Sequence, residues 1–303
     1  MVKNQPRDHH YVPQGYLRLF AENKNVLYVS NKQFDSIRLT SPKGIGYLKD
    51  FYTVDTVDET DSAEVERNLS KIETGCIPLL GKLLYAEDLP NAEWADVAIY
   101  IALQYGRTPH MRNKMDTAAT ALLNNYLKDT LTDALDDPRK YAELEREIAE
   151  KDPKLLVVHT RENIEKLVSG PKILEEFNLD NGTYVQSIFR MAGEIVDGLL
   201  KRHWTVLHAP KGSSFITSDN PLTLSIDRTL LPYESLAILL PGAMRYFPLS
   251  AKACLLITDE NVGRIISHKA ITKDEVRRIN KLLYRESLKY AVSGNRRLLS
   301  SLM

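Results

Sequence analysis

Cysteine, net charge and long apolar runs are all scarce in this chain, and each shortage removes a class of protein. Only two cysteines, Cys76 and Cys254, occur in 303 residues. Both sit within apolar stretches, so they read as reduced, buried thiols rather than as a disulfide framework. Lys+Arg and Asp+Glu are equal at 40 each. Without a basic excess, contact with nucleic acid has to rest on a local patch. No apolar run reaches the roughly 18–20 residues that cross a bilayer. Residues 1–7 lack the hydrophobic segment of a secretory leader, so the expected compartment is the cytoplasm and no membrane is expected among the partners. Familiar motifs are missing too: no Walker phosphate loop, dinucleotide glycine fingerprint, Cys-x-x-Cys, His-Glu-x-x-His or Gly-x-Ser-x-Gly. NTPase, Rossmann, zinc-ribbon, metalloprotease and serine-hydrolase readings lose their support.

What is present is an ordinary globular composition, 43% hydrophobic and 26% charged, long enough to bury a substantial core. Pro13 suits the first turn of a helix over 14–21. Segments 26–30, 36–40 and 50–54 read as strands. From Asp61 to Tyr85, apolar residues at Val65, Leu69, Ile72, Cys76, Leu79 and Leu83 share one helical face. Asp61 and Glu64 form a candidate capping pair, and Pro78 is expected to kink or divide the helix. A second helix starts near Asn91 and carries Trp94, Val97, Ala98, Ile101 and Tyr105. A third has Pro109 at its first position and an apolar face of Met111, Met115, Ala119, Leu122, Tyr126 and Leu131. The charged stretch 136–152 reads as a solvated helix, and 160–169, 171–177 and 183–202 complete a helical block. At Trp204 the period switches to two. Segments 204–208, 214–217, 222–226, 237–240, 245–248 and 254–257 read as strands, then a helix over 272–286 and a strand over 290–293. The expectation is a single composite α+β domain over 1–303. Its parts are an N-terminal helix and strands (1–60), a helical block (61–202) and a C-terminal sheet and helix (203–303). The mixed or antiparallel sheet draws on both ends of the chain.

Four clusters could carry chemistry. Histidine is rare, with seven in the chain, yet His9 and His10 are adjacent at a strand-to-helix boundary beside Gln14 and Tyr16. Imidazoles so placed serve as general bases and metal ligands. Neighbours in an extended segment face opposite sides, so one histidine can face a site while the other bonds to backbone. Tyr100, Gln104 and Arg107 lie at i, i+4 and i+7 on one helical face. Arg107 could clamp a phosphate with its planar fork, or satisfy the carbonyls of its own helix end. Ser218-Asp219-Asn220-Pro221 after an apolar strand is strong turn chemistry, and alternatively places Asp219 as metal ligand or general base with Ser218 alongside. Glu66 and Glu73, seven apart on the first long helix, gain weight only if that helix crosses the histidines.

The opening run His9-His10-Tyr11-Val12-Pro13-Gln14 with Tyr16-Leu17-Arg18 and Phe20 resembles a bacterial family known only as a domain of unknown function. The likeness continues through Asp50-Phe51-Tyr52, Gln104 with Arg107-Thr108-Pro109, and Phe215 to Pro221. Phe247-Pro248-Leu249-Ser250 and Ile279-Asn280 also fit, so it spans nearly the whole chain. Gly15 departs from the bulky residue expected there. A local likeness to His-Asn-His-type nucleases implies a histidine activating water beside one divalent metal. Such a site needs an asparagine and a further histidine or asparagine. Asn23, Asn25 and Asn31 are available, but no histidine follows until His110.

Together these features point to a hydrolase of a phosphate-containing substrate, foremost a metal-dependent nuclease acting on nucleic acid or a nucleotide. Catalytic roles are expected for His9, His10, Asp219 and Glu73, with His10 and Asp219 as ligands to one divalent ion. Substrate contacts are expected from Gln14, Tyr16, Gln104, Arg107 and Ser218. The alternatives are a non-catalytic binding module, in which the histidines tie the N-terminus into the sheet, and a nucleotide-binding effector of bacterial defence.

Overall fold

A computed structural model of the chain describes residues 7–22, 25–53, 60–151, 160–226, 238–260 and 265–303, with backbone only for 60–63. The fold is α+β, as the switch in hydrophobic period implies. Its contacts divide the chain into two compact units, Met1–Arg112 with Asn181–Met303, and Asn113–Asp180. The helical block expected over 61–202 is therefore shared between them.

Among the described residues, the first unit holds three sheets. The hairpin β2 (Leu27–Asn31) and β3 (Ser36–Thr40) joins β11 (Tyr290–Ser293) and β6 (Thr217–Ser218) in the order β3-β2-β11-β6, all antiparallel. Thus the N-terminal strands do pair with C-terminal ones. A second sheet runs β10 (Ile266–Ala270), β5 (His203–His208), β9 (Ala253–Thr258), β8 (Met244–Ser250), β7 (Thr223–Ser225), and its β5–β10 pair is parallel. The third is the short pair β1 (Asp8–His10) and β4 (Tyr47–Lys49). Helix α8 (Lys273–Arg285) begins with a complete capping box between Thr272 and Glu275, which satisfies the orphan amides of its first turn. Its apolar face, Val276, Ile279 and Leu283, packs on Phe215, Ile216, Cys254 and Ala291. A short helix, α9 (Arg296–Ser300), ends the chain.

Helices α1 (Gln14–Leu17), α2 (Thr60–Lys82), α3 (Asn91–Gly106) and α7 (Asn181–Leu200) complete this unit. α1 passes into a 3-10 turn over Arg18–Phe20 instead of continuing to 21. α3 is buried on almost every face in its second half, and Trp94 packs on Trp204 with ring centroids 4.5 Å apart. α2 runs through Pro78 without being divided. A Cβ on Gly15 would lie 2.6 Å from Ile77 Cδ1, so the glycine that breaks the expected pattern is where α1 meets α2. Cys76 and Cys254 are buried and free, and burial pushes the Cys76 thiol up to about 11, which keeps it inert.

Helix α4 (Pro109–Asp136) crosses from the first unit into the second, which adds α5 (Pro138–Lys151) and α6 (Arg161–Ser169). Here two expectations fail. Met111 on the predicted apolar face of α4 is buried, but Leu122 and Tyr126 are 71% and 65% exposed, so that face opens to solvent along the helix. The inward stripe is polar: Asp116, Thr120 and Asn124 accept amides of Leu179, Phe177, and Ile173 with Leu174. Residues 171–177 are irregular rather than helical, with the amides of Ile173, Leu174 and Phe177 donated to α4 side chains.

Other differences lie in the strands. The described part of the expected strand over 50–54 is a turn: β4 ends at Lys49, Asp50 has φ 54°, and its carboxylate pairs with Arg7 at 2.5 Å. Within 214–217 only Thr217 is in a strand, since the Ile216 amide donates to Asn280 Oδ1 at 3.0 Å. Residues 238–240 form no strand: Arg202 donates to the Leu239 carbonyl, and Arg245 to those of Ile238 and Leu240. Residues Asn23, Val54 and Ala237, and the Asp61 side chain, lie outside what is described.

Candidate active site

The N-terminal motif is held by backbone geometry. β1 pairs His9 with Leu48 and His10 with Tyr47. Just beyond, the Gly46 carbonyl accepts the amides of Tyr11 and Val12 at 2.9 and 3.0 Å. Gly46 has φ +78°, and a Cβ there would sit 3.0 Å from the Val12 carbonyl oxygen, so glycine is required at this turn.

Alternation along the strand then separates the two histidines. His9 is buried, 4% exposed, and stacks on Tyr52 with centroids 5.7 Å apart and planes 9° from parallel. Its Nδ1 accepts the Tyr52 amide at 2.9 Å, so this ring ties β1 to the Phe51–Tyr52 turn. His10 has its ring 5.4 Å from Tyr47, and its Nε2 is buried without a hydrogen-bond partner. Burial pushes the His10 pKa below that of free imidazole; a hydrogen bond to the Lys43 backbone and the charges of Glu73 and Asp8 oppose this, and Arg107 adds to it. With Nε2 unpartnered, Nδ1 is the nitrogen that faces Lys43.

α3 supplies the other wall. Gln104 donates from Nε2 to the Tyr11 carbonyl at 2.8 Å, which fixes its amide orientation. Its Oε1 then accepts Arg107 Nε at 3.2 Å and Nη2 at 2.8 Å. Arg107 Nη1 donates to Glu73 Oε1 on α2 at 2.6 Å, with the two side chains 2% and 21% exposed. Tyr52 Oη donates to the Arg107 carbonyl at 3.2 Å. Burial works against the guanidinium charge, but Glu73 holds the Arg107 pKa above its ordinary value. The charge of Glu73 on α2 thus reaches both Arg107 and His10.

Among the described residues, four buried side-chain polar atoms have no partner: His10 Nε2, Glu66 Oε1, Tyr100 Oη and His203 Nδ1. The first three all feel the Glu73 and Arg107 charges. Burial, reinforced by Glu73 and opposed by Arg107, pushes the Glu66 carboxyl above the usual carboxylate range. Tyr100 is likewise pushed up by burial and stays an un-ionised phenol. Unsatisfied buried groups are rare and costly, and three of these four lie within electrostatic reach of one ion pair.

The Asp219 cluster is built differently. Its carboxylate accepts the amides of Leu288, Lys289 and Tyr290 at 2.8, 2.6 and 3.0 Å. Burial pushes this carboxyl up, while the three amides and Lys32 oppose that. Ser218 Oγ donates to the Asn220 carbonyl at 2.9 Å and accepts the Asn220 amide at 3.1 Å, closing the turn. Tyr16 is buried, donating to the Pro248 carbonyl at 2.7 Å beside Thr217 Oγ1 at 3.1 Å. Gln14 is half-buried at the start of α1. Successive motif residues thus address different clusters: His10 senses Glu73 and Arg107, whereas Tyr11 senses Asp219. His10 and Asp219 are not seen to share a ligand set, and among the described residues no group of three His, Cys, Asp or Glu could hold a metal ion.

The structure brings together His10, Glu73, Gln104 and Arg107, and adds Glu66 and Tyr100, whose weight was invisible without knowing how α2 and α3 pack. The sequence signal for them was the seven-residue spacing of Glu66 and Glu73 and the shared face of Tyr100 with Gln104. A polar groove of about 700 Å³ in the second unit, lined by Asp116, Thr120 and Asn124 with Asn113, Lys172 and Asn178, contains none of the candidate site residues. Residues 8–297 match one protein family, described as a protein of unknown function, DUF4238. No curated protein and no solved structure matches the chain.

Proposed function

The chain belongs to the DUF4238 family, and from the geometry of its site we propose that it is a hydrolase working by general acid–base catalysis at His10. The observation that carries this reading is the set of three unpartnered buried atoms, His10 Nε2, Glu66 Oε1 and Tyr100 Oη, around the Glu73–Arg107 pair. A neutral imidazole with a free Nε2 lone pair is the form that accepts a proton from water. A carboxyl pushed up by burial and by Glu73 is the form that donates one to a leaving group. Gln104 and Glu73 hold Arg107 in place, and Arg107 in turn holds Glu73 beside His10 and Glu66. A phosphodiester, the substrate class expected from the sequence, is one arm of the test. A divalent ion is another, with no step routed through it. A cytoplasmic, bacterial setting belongs to the same proposal; among the described residues no helix is long and apolar enough to cross a membrane.

The test is hydrolysis of p-nitrophenyl phosphodiester, ester and glycoside substrates, with and without Mg²⁺ or Mn²⁺. Wild type, His10→Gln and Glu66→Gln are compared, each shown to be folded. The proposal expects turnover of one class, reduced about 10²–10⁴-fold in His10→Gln. Turnover of none, or turnover unchanged in both variants, overturns it. For His9 and Asp219 a structural reading is favoured, since the bonds described for both go to backbone amides.

A further inference from the structure

We propose that the outward face of α8, together with the start of α9, is a docking surface for double-stranded nucleic acid, held through the phosphate backbone. The inference stands apart from the acid–base reading at His10. The equality of Lys+Arg and Asp+Glu hides an uneven distribution along the chain. Residues 113–180 carry ten Lys and Arg against fifteen Asp and Glu, whereas residues 265–303 carry nine against three. The last segment therefore holds the local basic patch that a neutral chain needs to meet a polyanion.

Packing turns that excess outward. Val276, Ile279 and Leu283 of α8 and Leu299 of α9 belong to one buried cluster with Ile216 and Ala291, so both helices lie against the same core. Six residues of α8 are exposed and all are charged: the cations Lys273, Arg277, Arg278, Lys281 and Arg285, and the anion Asp274. Arg296 and Arg297 are exposed at the start of α9. Arg277, Lys281 and Arg285 follow one another at i, i+4 and i+8, a row of about 12 Å along one side of the helix. Like charges at this spacing destabilise a helix, so helix stability does not account for the row. Neighbouring acids are engaged elsewhere or at its end: Glu275 completes the Thr272 cap, and Glu286 pairs with Arg285 at 2.8 Å. Among the described residues, Arg277, Lys281, Arg296 and Arg297 make no ion pair.

The same features select the partner. A basic amphipathic helix that enters a membrane, or that a helix-binding protein grips, uses its apolar face; that face of α8 is committed to the core. Single strands are held by stacking on aromatic side chains, and no exposed residue of α8 is aromatic. What α8 and α9 offer is seven exposed cations, five of them arginines whose planar fork fits phosphate. Cations spaced along a rigid rod suit the regular, closely spaced phosphates of a duplex.

Fluorescence anisotropy of a labelled DNA duplex of about 20 base pairs, titrated with the full chain, tests the surface. With four phosphate contacts, log K should fall against log salt with a slope of about −4, a loss of about 10²-fold between 50 and 200 mM. The double variant Arg277→Ala, Lys281→Ala should weaken binding at low salt by about tenfold or more and make the slope shallower by about two. Both side chains are exposed and unpaired, so the variant should keep its fold, as circular dichroism checks. The control variant Arg139→Ala, Lys151→Ala removes two exposed cations of α5 and should change neither quantity. Absence of duplex binding at 50 mM salt overturns the inference, and so does an equal loss in the two double variants. Tighter binding to phosphatidylserine vesicles or to poly-glutamate than to the duplex, at the same salt, overturns it as well. Duplex binding that needs Arg277 and Lys281, without turnover of any substrate, supports the docking surface while the hydrolase reading fails.

Discussion

Replacing Tyr100 by phenylalanine should leave the protein as stable as wild type or more so. Tyr100 lies on α3 with its ring edge-on to Phe247, centroids 6.2 Å apart and planes at 79°. Phenylalanine keeps that contact and removes only the hydroxyl, which is buried without a partner. An unsatisfied buried polar group costs about 1–3 kcal/mol. For a chain of this size each kcal/mol moves Tm by roughly 2 °C, so the gain reaches about 2–6 °C. A water held by the hydroxyl in the ligand-free protein shrinks the gain towards zero but does not reverse it. Thermal unfolding followed by circular dichroism, with urea unfolding for ΔG, measures the effect. A loss of about 1 kcal/mol or more, the worth of one satisfied hydrogen bond, would show that the hydroxyl is a structural bond and refute the reasoning. A stability gain coupled to weaker ligand binding is the trade expected at a functional position.

The remaining predictions concern the framework. Glu73→Gln removes the counter-charge of buried Arg107 and should cost on the order of 3 kcal/mol in urea unfolding, the lower part of the range for a broken buried pair because Glu73 is partly exposed; a cost below about 0.5 kcal/mol would contradict the pairing. Asp219→Asn keeps an oxygen for the Lys289 and Tyr290 amides only by turning its amide nitrogen towards that of Leu288, and should cost about 1–3 kcal/mol in urea unfolding; an unchanged stability would contradict the role of this carboxylate in the turn. His208 Nε2 lies 2.9 Å from His268 Nδ1, and His268 Nε2 lies 2.8 Å from the Ala86 carbonyl, so His268 donates to Ala86 and accepts from His208. Burial, then His268, depresses the His208 pKa, so the unfolded chain takes up its proton first. Stability should therefore fall as pH drops below about 6.5, and His208→Asn should flatten that slope; an unchanged slope would sink the assignment.

Much of the fold was legible because periodicity reports burial. The apolar stripes of α2 and α3 and the two-residue alternation after Trp204 come from residues that face a core. The errors share a cause, which is side chains taking backbone partners across long sequence distances. Asn124 and Thr120 take amides of residues 171–177 out of a helix, and Arg202 with Arg245 holds 238–240 out of a strand. Strand β10, Ile266–Ala270, has one buried position in five and pairs in parallel, so it carries no alternation to read. At the site, His10, Glu73, Gln104 and Arg107 were each visible as residues, but their convergence was not. Glu66 and Tyr100 acquire meaning only from what they fail to bond. Asp219 accepts three amides of the Leu288–Tyr290 turn, partners about seventy residues away that a local reading of its own turn does not reach.

The pH–rate profile tests acid–base catalysis at His10 and Glu66 most directly, measured on whichever substrate the wild-type chain turns over. The account predicts a bell whose acidic limb lies below about 6.5, because burial depresses His10, and whose alkaline limb lies above about 4.5, because burial and Glu73 raise Glu66. His10→Gln should remove the acidic limb and Glu66→Gln the alkaline one. Limbs that survive unchanged in the two folded variants would contradict the account.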